Sequence, residues 1–357
     1  MDKYNLDGHK LFWHLDRLQA WQSGELIAPV YVEISPVSYC NHKCIFCGLD
    51  FAQGAPKSLD TDIINERIIE MGSLGVKSIM FAGEGEPLLH KGLFKWVETA
   101  KQNGIDVSIT TNGGPGTKEL WSRLIPHLTW LRFSVDAGSS SVYSKVHSVP
   151  DFAFEKTLQS IRDALTIRDQ AGNCTIGVQY LMIRDNLADI ENAMRLFSEL
   201  GVDYFSLKPY SEHPQMFNKS GFNYSEEDIL HVQEIVSSYQ ARGGKTRIIF
   251  RKAATANYTE SGKKFSHCQA LLFWGYISSS GDFHTCSVFL NDERFKIGNI
   301  YSNNMKDILF GEKRRSSIAY GACDLEVGYE CRVNCRMARI NEFLELLNNR
   351  PEHINFI

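Results

Sequence analysis

The chain has 357 residues, of which 43% are hydrophobic and 22% charged, and a formal net charge of −4. This balance is that of an ordinary globular protein and gives no electrostatic reason to expect nucleic acid or an anionic membrane as partner. No run approaches the apolar length of a membrane span and residues 1–10 lack a signal-peptide core, so the expected compartment is the reducing cytoplasm, where cysteines serve as metal ligands more often than as disulfides.

Residues 1–29 read as a helical lead-in, with Leu11, Phe12, Leu15, Leu18 and Trp21 at helical spacing and their stripe expected to pack on a following barrel. Val30 to Ser35 alternates and is β-branched, the pattern of a strand that runs straight into Cys40-Asn41-His42-Lys43-Cys44-Ile45-Phe46-Cys47. The spacing C-x3-C-x2-C supplies three thiolates from one loop. Three soft ligands suit an iron–sulfur cluster with one iron left open. The competing reading is a zinc knuckle with His42 as fourth ligand, although structural zinc loops usually bring their ligands as two separated pairs.

Beyond the loop, strand and helix patterns alternate. Helical stretches at 60–73, 91–102, 117–125, 154–169 and 187–200 separate strands at 78–81, 106–110, 130–135, 175–183 and 204–207. With the first strand these give a parallel α/β fold, whose functional residues belong at the strand C-termini. Ala82-Gly83-Glu84-Gly85-Glu86-Pro87, Thr111-Asn112-Gly113 and Ser134-Val135-Asp136 follow three of those strands; they suit turns and caps as well as ligand contact. Asn186 and Lys208 follow the next two, and Lys208 is equally readable as a solvated rim charge. His213-Pro214 and Ser220-Gly221 mark a loop before a helix at 225–240 and a short strand at 247–250.

Five cysteines lie between 268 and 335. Cys268 and Cys286 frame C-x12-G-x4-C around Gly281, at the bases of a hairpin expected from 273–277 and 283–285. Cys323, Cys331 and Cys335 follow, the last two leading into a helix at 336–348. A zinc ribbon competes here, but the usual C-x2-C knuckles are missing. Cys174, at the start of the fifth strand, reads as a buried inert thiol.

The C-x3-C-x-aromatic-C loop after a first strand resembles that of the radical S-adenosylmethionine (SAM) enzymes. The resemblance implies an open partial (β/α)6 TIM-like barrel over 30–250, with a [4Fe-4S] cluster on Cys40, Cys44 and Cys47 whose open iron binds SAM. It implies one-electron cleavage of SAM to a 5′-deoxyadenosyl radical that takes hydrogen from substrate. By the same resemblance Phe46 covers the adenine, Gly85, Glu86 and Pro87 match the Gly-Gly-Glu-Pro motif that binds the SAM amino group, and Asn112, Ser134 and Asp136 hold its ribose and carboxylate. Glu84 departs from that motif, where a glycine is usual.

Residues 265–345 resemble the SPASM and twitch extensions, which hold auxiliary iron–sulfur clusters, but lack the C-x2-C pair and the final cysteine of the full SPASM pattern. Five cysteines are too few for two fully cysteine-ligated four-iron clusters, so one auxiliary [4Fe-4S] cluster is expected. Cys268, Cys286 and Cys335 are its firmest ligands, with Cys331 ahead of Cys323 for the fourth place; the leftover thiol is structural or a hydrogen donor, which makes Cys323 the candidate donor.

The tail resembles most the twitch-bearing aminocyclitol dehydrogenase of the butirosin pathway. The expectation is therefore a radical SAM oxidoreductase that dehydrogenates a small polar substrate such as a sugar, aminocyclitol or nucleotide-sugar, and draws electrons from a reductant such as flavodoxin or ferredoxin. Epimerisation with a cysteine hydrogen donor is the alternative reaction. Ribosomal-peptide maturation is another, disfavoured because the residues before the first strand are too few for a peptide-binding module. A non-catalytic iron–sulfur or zinc protein is the alternative from another class.

Overall fold

A computed structural model describes residues 4–6, 8–172, 174–219, 224–251, 254–255 and 263–356. The turn expected at Ser220-Gly221 lies outside the described residues. Strands β1 (Tyr31–Ile34), β2 (Ser78–Phe81), β3 (Asp106–Thr111), β4 (Trp130–Ser134), β5 (Thr175–Met182), β6 (Tyr204–Pro209) and β7 (Arg247–Phe250) pair in that order, each parallel to the next. Helices α2 (Thr61–Ser73), α3 (Leu93–Gln102), α4 (Lys118–Leu124), α6 (Phe152–Ala171), α7 (Ile190–Leu200) and α8 (Glu226–Ala241) connect them, and α5 (Ser140–His147) precedes α6. The result is the expected open, TIM-like parallel barrel, extended by the seventh strand.

Strand periodicity decides what faces inward. Val32 and Ile34, Leu131 and Phe133, and Phe205 and Leu207 are buried in the main core under the helices. Their neighbours Glu33, Arg132, Ser134, Ser206 and Lys208 therefore project to the other face, into the lumen. Helix starts follow local chemistry: Asp60 caps α2 by accepting from the backbone N–H groups of Asp62 and Ile63, both at 2.9 Å.

The cysteine-rich tail continues the same sheet. Strand β8 (Trp274–Ile277) lies parallel beside β1, and β9 (Asp282–His284) and β10 (Lys296–Asn299) extend it antiparallel. The β8–β9 turn needs Gly281: its φ is +84°, and a Cβ there would sit 2.5 Å from the Tyr301 ring. Helices α9 (Met305–Phe310), α10 (Glu312–Cys323) and α11 (Ala338–Asn348) complete the tail.

The lead-in differs from its sequence reading. A 3₁₀ turn (Leu11–Trp13) is broken from α1 (Leu15–Gln22) at His14. This change of pitch turns Leu15 outward, 71% exposed, while Leu11 and Leu18 pack with Leu272, Phe273 and Leu344 of the tail rather than on the barrel helices.

Arg314 locks this junction. Its side chain is fully buried, with Nη1 donating to the carbonyls of Ile27 (2.6 Å) and Leu309 (2.7 Å) and Nη2 to that of Leu272 (2.7 Å). Replacement by methionine keeps the bulk and leaves those carbonyls without their donor. Arg314→Met is expected to lower stability by about 3 kcal/mol, read as the shift in denaturant unfolding.

Candidate active site

The loop that carries Cys40, Cys44 and Cys47 is stapled to the end of α5. The backbone N–H groups of Lys43 and Ile45 donate to the carbonyls of His147 (3.1 Å) and Val146 (3.0 Å). All three thiols open on one cavity of about 350 Å³, the size of a small-molecule site, at the C-terminal ends of the barrel strands. Burial raises all three, Cys40 to about 11. A converging set of protonated thiols is a set awaiting a cation, because metal binding displaces the protons. These residues fit an iron–sulfur cluster on that ground.

His42 and His147 adjoin Cys44. The donor atoms of the three lie within 4.8 Å of one another, and Cys44 Sγ is 3.1 Å from His147 Nδ1. The other ring nitrogen of His147 lies 3.3 Å from the backbone N of Asp136 and 3.4 Å from its Oδ2. Burial lowers both imidazoles, His42 to about 4, so they are neutral near pH 7.

The expected SAM-binding residues gather around the same cavity. Phe46, Gly85, Glu86, Pro87, Asn112, Ser134 and Asp136 all line it. Gly85 packs on the cysteine loop so closely that a Cβ would meet the Tyr39 carbonyl oxygen at 2.2 Å. Glu86 is buried and accepts from Thr111 Oγ1 (2.6 Å), the Asn112 backbone (2.8 Å) and the Leu88 backbone (3.0 Å). Burial nevertheless raises Glu86 and Asp136 to about 7 each. Asn112 Nδ2 reaches Asn41 Oδ1 at 2.9 Å and Cys40 Sγ at 3.6 Å, joining the β3 loop to the cysteine loop.

Two positions take roles the sequence did not reveal. Asn186 is fully buried and holds the Asp136 loop, with Nδ2 donating to the carbonyls of Asp136 (2.9 Å) and Leu181 (3.0 Å). Glu84, the departure from the motif, turns away to the tail: its carboxylate accepts from the Ser279 backbone (3.2 Å), Ser279 Oγ and Tyr276 Oη (3.4 Å). The side chain that replaces a glycine thus fastens the motif loop to the β8–β9 turn.

In the tail, Cys268, Cys286, Cys331 and Cys335 lie close enough to perturb one another electrostatically and sit in a small core with Trp274, Phe295 and Met337. A hydrogen bond between Cys331 and Cys335 lowers the first thiol and raises the second. Four thiols match the ligand count of one cluster. Cys323 is exposed at the end of α10 and lines neither this group nor the cavity, so the structure does not bring it to the metal-binding or hydrogen-donor position given to it from sequence. Cys174 is buried at the start of β5.

Lys208 corrects the rim reading: it lines the cavity from inside the barrel. Arg332 and Arg336, on either side of Cys335, reach the same space, with Arg336 paired to buried Glu33. No local pattern marks these residues or His147, which only tertiary packing delivers to the site.

A family model described as the Radical SAM superfamily matches residues 34–197. Among curated proteins, the chain is 29% identical over 188 residues to GTP 3′,8-cyclase of Chlorobaculum tepidum, covering 51% of this chain and 55% of that protein. It is 32% identical over 157 residues to an S-adenosylmethionine-dependent nucleotide dehydratase of Lacinutrix mariniflava, covering 38% and 33%. Among solved structures, Streptococcus suis SuiB bound to S-adenosylmethionine superposes with a TM-score of 0.65 at 18% identity, over 86% of this chain and 71% of SuiB. The chain thus spans about half or less of the two curated relatives, and the likeness to SuiB is one of fold.

Proposed function

We propose that the chain is a radical SAM enzyme, from the match of residues 34–197 to that superfamily's model, and that it is an oxidoreductase that removes hydrogen from a small polar substrate in the barrel lumen and passes an electron to an auxiliary cluster. The observation that carries this reading is one cavity lined by Cys40, Cys44 and Cys47, by the strand-end polar residues and by Ser287 and Arg336, the sequence neighbours of Cys286 and Cys335. Bound on these thiols, a [4Fe-4S] cluster with SAM supplies one-electron cleavage to a hydrogen-abstracting 5′-deoxyadenosyl radical, and a second cluster supplies an electron acceptor.

The chain's own residues bind, orient and shield. Glu86 and the Gly85 backbone hold the SAM amino end, Phe46 covers the adenine, and Asn112, Ser134 and Asp136 take the ribose and carboxylate. Cys268, Cys286, Cys331 and Cys335 hold the auxiliary cluster in the tail, and Glu84 fixes that tail to the SAM loop. The exposed position of Cys323 favours oxidation over epimerisation, which needs a hydrogen donor facing the lumen. The SAM-dependent nucleotide dehydratase and the GTP cyclase among the relatives support a small-molecule substrate; SuiB, solved with its precursor peptide SuiA, keeps peptide maturation as the rival.

Turnover in deuterated water tests the reaction type. A two-electron-oxidised product is expected; an isomer carrying one solvent deuteron at carbon would assign epimerisation instead. Glu86→Gln sets an amide N–H against the N–H or O–H donors that the carboxylate now accepts. It is expected to weaken SAM binding roughly tenfold or more, measured by equilibrium titration, with iron content retained.

A further inference from the structure

His147, the last residue of α5, lines the site cavity at 1% exposure and takes none of the binding roles given to its neighbours. Its ring is held between Tyr143 (centroids 4.3 Å apart), His42 (5.4 Å) and Phe46 (5.5 Å). Its carbonyl accepts from the Lys43 backbone of the cysteine loop, and the next residue, Ser148, ends the helix in the left-handed region at φ +50°. A residue other than glycine is uncommon there. Ring and backbone are thus both fixed against the loop.

The Asp136 backbone decides which ring nitrogen carries the proton. Its N–H donates to His147 Nε2 at 3.3 Å, so Nε2 must offer its lone pair. Asp136 Oδ2 lies 3.4 Å from Nε2 without hydrogen-bond geometry, and Oδ1 accepts from the Leu181 backbone. A proton on Nε2 would point at the Asp136 N–H, which leaves the single ring proton on Nδ1. Nδ1 lies 3.1 Å from Cys44 Sγ. A sulfur bound to iron carries no proton and can only accept, so this tautomer is the one that makes a hydrogen bond to it. Direct metal binding by Nδ1 alongside His42 and Cys44 would force the proton to Nε2, against the Asp136 N–H.

We propose that His147 donates a hydrogen bond from Nδ1 to the Cys44 sulfur and thereby sets how readily the cluster on Cys40, Cys44 and Cys47 takes up its electron. It is a positioning residue that acts through Cys44, and the inference rests on the reading that these thiolates hold the SAM-binding cluster. Reduction adds negative charge that the cysteine sulfurs share, and an N–H aimed at one of them stabilises the reduced state. The side-chain amides of Asn112 and Gln53 approach the sulfurs of Cys40 and Cys47 less closely, at 3.6 and 3.5 Å.

A potentiometric titration of the anaerobically reconstituted full chain, followed by electron paramagnetic resonance, tests this, because SAM marks the signal of the cluster on Cys40, Cys44 and Cys47. At one fixed poise, His147→Leu is expected to lower the ratio of reduced to oxidised cluster roughly tenfold, or about 59 mV for one electron. The auxiliary signal, which SAM does not move, should keep its potential and so serve as an internal control. His147→Asn, whose amide places an N–H near the position of Nδ1, is expected to restore most of the ratio. In the wild type, isotopically labelled histidine is expected to show a weak nitrogen coupling to the SAM-responsive signal, lost in both variants. Iron and sulfide content and the melting temperature show which variants are intact. If His147→Leu loses its cluster, His147→Phe and the wild-type coupling carry the test.

An intact His147→Leu protein with unchanged potential overturns the proposal, as does a shift shared equally by both clusters, which marks a general loss of packing. Absence of any histidine coupling in the wild type overturns it too, and a strong coupling would make His147 an iron ligand instead. A wild type without a SAM-responsive signal is a different result, and it removes the reading of the cluster site itself.

Discussion

Cys44→Ala is expected to abolish SAM cleavage, with 5′-deoxyadenosine formation falling roughly 10³-fold or more, equivalent to about 4 kcal/mol of barrier. Cys44 is central in its loop: it lies between Cys40 and Cys47 in sequence, and its Sγ is the one that meets His147 at 3.1 Å. Burial raises its thiol well above the ordinary range, so only a bound cation makes the thiolate. Alanine removes that ligand, and within the described residues the nearest replacements are the neutral imidazoles of His42 and His147. A hard substitution by imidazole would change cluster charge and geometry, so rescue is not expected. Iron and sulfide per chain should fall to the share held by the tail. Cleavage at the wild-type rate would mean that Cys44 is not a cluster ligand.

Cys335→Ala is expected to remove the auxiliary cluster and with it most product formation, roughly 10²-fold, a scale typical of losing a group that tunes or completes a metal site. The residue has two attachments to the site. Its thiol joins Cys268, Cys286 and Cys331 in the tail core, and it borders the small cavity that Lys208 also lines. Half the iron should be lost, and the remaining cluster should still turn over SAM without coupling it to substrate oxidation. Quantifying 5′-deoxyadenosine and product together checks this. If both vanish in step, Cys335 supports the fold of the whole lumen rather than an electron acceptor.

Much of the architecture was legible because short-range chemistry and tertiary packing agree. Ser78–Phe81 and Arg247–Ile248–Ile249–Phe250 form strands where their short apolar runs suggested them. Gly281 sits in the turn its C-x12-G-x4-C spacing implies, because only glycine accepts that φ beside Tyr301. Helices α5, α9 and α10 were invisible for a physical reason. Ser140-Ser141-Val142-Tyr143-Ser144 is poor in helix formers, and Glu312–Cys323 carries its apolar residues in no helical stripe, being held by Arg314 and by contacts with β10.

The site divides along the same line. Thiols, the Gly85-Glu86-Pro87 turn and the polar strand ends announce themselves by residue type and spacing. Lys208 does not, since a charged residue in a strand reads as a rim until the register shows it pointing inward, and Arg332 lies in a tail loop that only tertiary packing brings to the cavity. The choice between Cys331 and Cys323 was likewise tertiary: α10 carries Cys323 out to solvent, whereas the chain after it returns Cys331 to Cys335.

The most direct test is the electron paramagnetic resonance spectrum of reduced, reconstituted Cys335→Ala protein recorded with and without SAM, which isolates the cluster on Cys40, Cys44 and Cys47. One [4Fe-4S] signal whose g-values move when SAM is added is the predicted result. A protein with no iron signal, or a signal indifferent to SAM, would contradict the account.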